Sequence, residues 1–125
     1  MATASDLGGL GVALPLAALL GNTPNTSVTA AGTSSTTATT LTMTNGYHNF
    51  TVTAASSQTG VILDANMLIG DVVYVTCTSS TTAILYPMSG ATFNLASNTS
   101  ISVAQYKTVI AIRTSATTCI TLLTA

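Results

Sequence analysis

Charge is nearly absent from this chain. Asp, Glu, Lys and Arg make up 4% of its 125 residues, where an ordinary soluble domain carries about 25%. The cations are Lys107 and Arg113, the carboxylates are Asp6, Asp64 and Asp71, His48 is the single histidine, and there is no Trp or Glu. Phosphate backbones and anionic lipid surfaces attract clusters of Lys and Arg, so neither nucleic acid nor membrane is an expected partner. Acid–base, nucleophilic and metal chemistry need groups that this sequence scarcely has, and no GxSxG nucleophile elbow occurs.

The few titratable residues have plainer readings. Asp64, Asn66 and Asp71 offer oxygen atoms, but not at the spacing of a calcium loop, and they are expected to shape turns. His48, beside Asn45-Gly46, is expected at the surface or an interface. Lys107 and Arg113 are expected to be single exposed charges, because isolated surface ion pairs contribute little. No catalytic residue, metal ligand or cofactor is expected, and the chain is read as not an enzyme.

A monomer usually stays soluble through a mixed charged coat and a net charge away from zero. This chain has a formal charge of −1, so much of its surface is expected to be covered by copies of itself or by a larger assembly. Thr, Ser and Asn supply the polarity instead. Thr is β-branched and suits a pleated, half-wet surface, while strong helix formers are scarce. No segment after residue 21 holds a period of 3.6, so the class is all-β.

Cys77 and Cys119 lie far apart, each in a Thr-flanked apolar stretch, without CxxC or Cys/His spacing. They read as buried free thiols, with a disulfide as the alternative. The apolar stretch Leu7 to Leu20 resembles a secretory h-region, but no Lys or Arg precedes it, Asp6 does, and Pro15 interrupts it. That argues against a signal peptide, and the stretch is too short to span a bilayer.

Residues 1–40 therefore read as an apolar arm followed by a Thr/Ser-rich linker over 22–40, with a short helix over 14–20 started by Pro15 and stopped by Gly21. Leu7, Leu10, Val12, Leu14, Leu16, Leu19 and Leu20 are the expected partner-binding residues of the arm. The β domain is expected over 41–125. Its first strand runs over Thr40 to Thr44, and a turn at Asn45-Gly46 leads to a second through Tyr47, Phe50 and Val52, as in a hairpin. Further strands are expected at 61–63, 72–77, 83–86, 91–95, 100–103, 108–113 and 119–123. The run Val72 to Cys77 is continuous enough to be buried on both faces, and Pro87 closes the strand before it. Seven to nine short strands predict a small antiparallel β-sandwich or barrel with an extended N-terminal arm.

Three turns and strands carry a resemblance: Gly70, Asp71, Val72, Val73, Tyr74, Val75; then Tyr86, Pro87, Met88, Ser89, Gly90; then Thr114, Ser115, Ala116, Thr117, Thr118. In that order they resemble the small head-decoration (cement) and head-fibre proteins of tailed bacteriophages, over about residues 59–123. Where related sequences carry an aromatic after the last turn, this one has Cys119, and residues 1–40 lie outside the likeness. The resemblance implies a structural virion protein assembled in the host cytoplasm. It would be an oligomer, commonly a homotrimer, seated on the outer capsid surface where it contacts the major capsid protein and stabilises the shell.

Two other readings compete. Tyr47, Phe50, Tyr74, Tyr86, Phe93 and Tyr106 raise a carbohydrate- or receptor-binding module, which an exposed aromatic row beside Asp or Asn would favour, although Phe50, Tyr74 and Phe93 fall in expected strands where core packing is the default. Thr-rich strands with few charges at their edges also suit a fibre or surface-layer subunit. Repeats would favour the fibre, and no fixed period of 20 residues or more is found.

Overall fold

The computed structural model describes residues 25–43, 47–94 and 100–124. The arm residues Leu7 to Leu20, the helix expected over 14–20 and the Asn45-Gly46 turn lie outside them. Ten strands make two sheets, and no helix occurs among the described residues. They are β1 (Thr26–Thr29), β2 (Thr39–Leu41), β3 (Tyr47–Thr53), β4 (Gly60–Leu63), β5 (Val72–Cys77), β6 (Ala83–Tyr86), β7 (Thr92–Phe93), β8 (Ile101–Val103), β9 (Thr108–Arg113) and β10 (Thr118–Leu123).

All-β is right; antiparallel is not. The larger sheet has the order β1-β3-β5-β9-β10-β7 and the smaller β2-β4-β6-β8. β1–β3, β3–β5, β2–β4, β4–β6 and β7–β10 pair parallel, whereas only β5–β9, β9–β10 and β6–β8 pair antiparallel. Successive strands from β1 to β6 alternate between the sheets, so β1–β2, β3–β4 and β5–β6 form three stacked rungs, closer to a solenoid than to a sandwich or barrel. The Asn45-Gly46 hairpin is overturned with it. β2 and β3 lie in different sheets, so they do not pair as a hairpin.

A rung advances the chain by 22 to 25 positions: Thr26 lies beside Phe50 and Tyr47 beside Val72, while Thr39 lies beside Val61 and Gly60 beside Ile84. Unequal corners explain why no fixed period shows in the sequence. The stretch 22–40, expected as a linker, supplies β1 and the start of β2, and Ala30 within it is buried. Ser27, Thr29 and Thr40 take the outward parity while the backbone pairs, so composition concealed a strand.

The sheets share one core. Phe50, Val52, Val73, Val75, Val109 and Phe93 come from the larger sheet and Leu41, Val61, Leu63, Leu85 and Val103 from the smaller. β5 is buried at alternate positions, Val73, Val75 and Cys77, with Val72, Tyr74 and Thr76 half-buried, so it is covered on one face and not on both. Beyond the third rung the stacking stops, because the β9–β10 hairpin inserts between β5 and β7.

Two corners share one device. Asp71 N donates to Leu68 O and Ala91 N to Met88 O, both at 3.0 Å. The third residue of each turn is a glycine of positive φ, Gly70 at 95° and Gly90 at 83°, as a type II turn requires. The turn before β9 lacks that device: Tyr106, 76% exposed, sits at φ 61°, a conformation costing an L-residue about 1–2 kcal/mol. Tyr106→Gly is expected to raise stability by roughly 1 kcal/mol after allowing for glycine's greater freedom when unfolded, measured as a higher urea midpoint at unchanged slope.

Candidate assembly surface

Strand alternation sends Val109, Ala111 and Cys119 into the core and Ile110, Ile112, Ile120 and Leu122 out. Register aligns the outward side chains across the larger sheet. Ile120, Ile112 and Val72 form one row, and Leu122, Ile110, Tyr74 and Asn49 the next. A third row is Thr108, Thr76, Thr51 and Ser27, tightened by a 2.7 Å hydroxyl contact between Thr76 and Thr108. The face therefore grades from aliphatic over β9–β10 to amide and hydroxyl over β3–β1. None of these positions carries a charge.

Its aliphatic end is wet in the protomer, with Leu122 66% exposed and Ile112 and Ile120 also open. Leu68 and Ile69, 68% and 64% exposed, extend it. Gly70 N donates to Arg113 O and Arg113 N to Asp71 O, which holds their corner beside the Ile112 end of β9. Large contiguous apolar patches are where proteins tend to associate, which makes this face the candidate surface.

The expected turn-formers behave as expected. Asp64 accepts from the N–H groups of Met43 and Asn66, each at 2.9 Å, joining the end of the first rung to the second. Asp71 accepts from Leu68 N at 2.8 Å. Arg113, however, is not a single exposed charge. It is half-buried and its guanidinium donates to the carbonyls of Met67, Ser115 and Ala116, clamping two loops beneath the apolar corner. Short local sequence gave no sign of this, because the three acceptors are backbone atoms from two separate loops.

His48 is likewise not at the surface. It is buried on β3 and stacks on Phe50 with centroids 5.8 Å apart, because it shares the inward parity of Phe50 and Val52. Cys77 and Cys119 are buried free thiols. Burial pushes the Cys119 thiol up, with Arg113 opposing in part, and its sulfur lies 3.7 Å from Met88 Sδ. No cluster of three His, Cys, Asp or Glu side chains capable of holding a metal ion occurs among the described residues, and they include no helix long and apolar enough to cross a membrane. No protein-family profile, curated protein or solved structure matches this chain.

The aromatics form no row among the described side chains. Phe50 and Phe93 are core, Tyr74 is on the outer face of the larger sheet, Tyr106 on a turn, and Tyr86 in a groove outside the smaller sheet. That groove, of about 480 Å³, is lined by Ser35, Thr36, Ile62, Tyr86 and the turn from Pro87 to Ala91. The Tyr86 hydroxyl is committed to Thr33 O at 2.9 Å, and no carboxylate or amide side chain lines it.

Proposed function

We propose that this protein is a structural subunit, not an enzyme, which oligomerises and decorates the outer surface of a tailed-phage capsid, contacting the major capsid protein and cementing the shell. One observation carries the assembly half of this reading: an uncharged aliphatic surface, Ile110, Ile112, Ile120 and Leu122 with Leu68 and Ile69 beside it, on a chain with only 4% charged residues. Burying that surface against another protein removes it from water at roughly 25 cal/mol per Å², and many weak contacts multiplied over a shell oppose internal pressure through avidity. A homotrimer is the proposed oligomer because the resemblance implies one, and any closed cyclic symmetry would cover such faces on every copy. The capsid half rests on the resemblance of residues 59–123.

The Tyr86 groove supports the alternative of a carbohydrate- or receptor-binding module displayed on the virion, through the ring of Tyr86 and the hydroxyls of Ser35 and Thr36. Light scattering of the purified protein, followed by mixing with undecorated capsids, separates the two. A closed oligomer that binds shells saturably and raises their melting temperature is the expected result. A monomer indifferent to shells sinks the cement reading and directs attention to glycan binding.

A further inference from the structure

The hydroxyl end of the larger sheet is more regular than its aliphatic end. Ser27, Thr51, Thr76 and Thr108 lie side by side on β1, β3, β5 and β9. Two residues further along, Thr29 stands beside Thr53, and Thr78 N donates to Val52 O, which carries the β3–β5 register on and brings Thr78 beside Thr53. Val28, Val52 and Cys77, between the two rows, pack into the core, so both rows share the outer face.

Strand geometry turns these rows into a grid. Neighbours within a row lie about 4.8 Å apart, and the two rows are separated by about 6.6 Å along the strands. Branching at Cβ leaves threonine few χ1 states, so the hydroxyls are held and not swung. Further bonds fix several of them: those of Thr76 and Thr108 pair at 2.7 Å, and that of Thr51 accepts from Asn25 Nδ2. A hydroxyl has one donor and two acceptor positions, so each keeps capacity for water. Ser27, Thr29 and Thr53 are exposed, with Thr51, Thr76, Thr78 and Thr108 half-buried. No charged residue stands in either row, so no ion imposes its own hydration shell there.

The repeat points to the partner. Oxygen atoms on the prism face of ice recur at spacings close to those of the grid, and side chains that lean along a strand take up the remaining difference. A fixed hydroxyl that donates one hydrogen bond and accepts others can replace a lattice water. Neither row contains an aromatic, amide or carboxylate group with which to grip a sugar. We propose that the two hydroxyl rows bind ice, adsorbing to the crystal and slowing its growth. The exposed aliphatic side chains cluster over β9–β10, and six of the seven hydroxyls lie over β1, β3 and β5. Assembly through the aliphatic end therefore leaves the grid open, whatever the assembly decorates.

The test is partition of the full-length protein between a slowly growing ice front and the remaining solution, with crystal shape followed under a microscope. The protein is expected to enter the ice and to facet small crystals, whereas a protein of similar size without such rows is excluded with the solutes. Thr53→Tyr, which plants a ring in the middle of the second row, is expected to abolish both effects while its melting temperature stays within a few degrees of the parent's. Thr29→Tyr repeats the test on the edge strand. Ser102→Tyr places the same bulk at an exposed position of the smaller sheet and is expected to change neither effect. Exclusion of the unmodified protein from ice overturns the proposal. So does entry into ice that Thr53→Tyr and Thr29→Tyr both leave intact, and so does binding to crystalline cellulose in place of ice, which assigns the rows to a polysaccharide.

Discussion

If the protein assembles as proposed, the double variant Ile120→Asp, Leu122→Asp is expected to be monomeric at concentrations where the parent protein associates, and its protomer to keep its fold. Both side chains point out of the larger sheet in the protomer, and Leu122 is 66% exposed, so the substitutions open no cavity; surface changes of this kind usually stay within about ±0.5 kcal/mol. In an assembly that covers the face the same carboxylates are buried without partners, because none of the aligned outward positions carries a cation. Each such burial costs several kcal/mol, so the pair weakens association by more than about a thousandfold at 1.4 kcal/mol per decade. Thr51→Asp, at the hydroxyl end of the third row, is the control and is expected to leave the oligomer intact. Light scattering reads the result, and an oligomer that survives the double variant places the interface elsewhere.

How much of this was legible in the sequence follows from what each pattern constrains. Several strand positions after residue 60 were, because alternation and turn residues act locally: β9 runs from Thr108 to Arg113 as its pattern predicts, and β6 ends at Tyr86 before Pro87, whereas β1 was hidden in a Thr/Ser-rich stretch. Pairing direction was not. The step from Thr44 to Tyr47 has the chemistry of a hairpin, yet whether a strand folds back or crosses to a second sheet is decided by which faces must be buried together. The rungs leave a trace that only register exposes. Ser27-Val28-Thr29, Thr51-Val52-Thr53 and Thr76-Cys77-Thr78 stack position on position, each placing one apolar side chain inward between hydroxyls. Cys77, in line with Val28 and Val52, packs there as a small apolar residue does.

The candidate surface was harder to see than the core. The alternation of Ile110 and Ile112 with Val109 and Ala111, all apolar, gives no hint which set faces water, since both faces read alike. The structure resolves it by inserting the hairpin at the third rung, where inward positions meet the core and outward ones meet nothing among the described residues. His48 was misplaced for the converse reason. Its place beside Asn45-Gly46 argued for the surface or an interface, whereas its parity with Phe50 and Val52 sends it inside, and parity wins because a one-residue slip would expose every core residue of β3.

Phe93→Ala is expected to have the largest effect of any single core truncation. Phe93 is one of the two residues of β7 and is fully buried, and truncating a buried Phe costs about 3–5 kcal/mol. A small domain has roughly 5–15 kcal/mol in all. Little else fixes this strand. It pairs with β10 only at Thr118 and Cys119, with Thr92 N donating to Thr117 O and Asn94 N to Cys119 O. The Asn94 side chain then bridges Thr121 through its hydroxyl and its N–H, each at 2.8 Å. Those bonds orient β7 but are open to water, so the phenyl ring is what holds the strand against the core. Losing it is expected to lower the melting temperature by about 10–30 °C, at roughly 3–6 °C per kcal/mol for a domain between the small and mid-sized ranges. Phe93→Leu, which keeps most of the volume, should lose under about 1.5 kcal/mol. Denaturant titration of both variants tests the assignment: equal losses would mean that the ring fills no tightly packed site, and that the hydrogen bonds of Asn94 hold β7 instead.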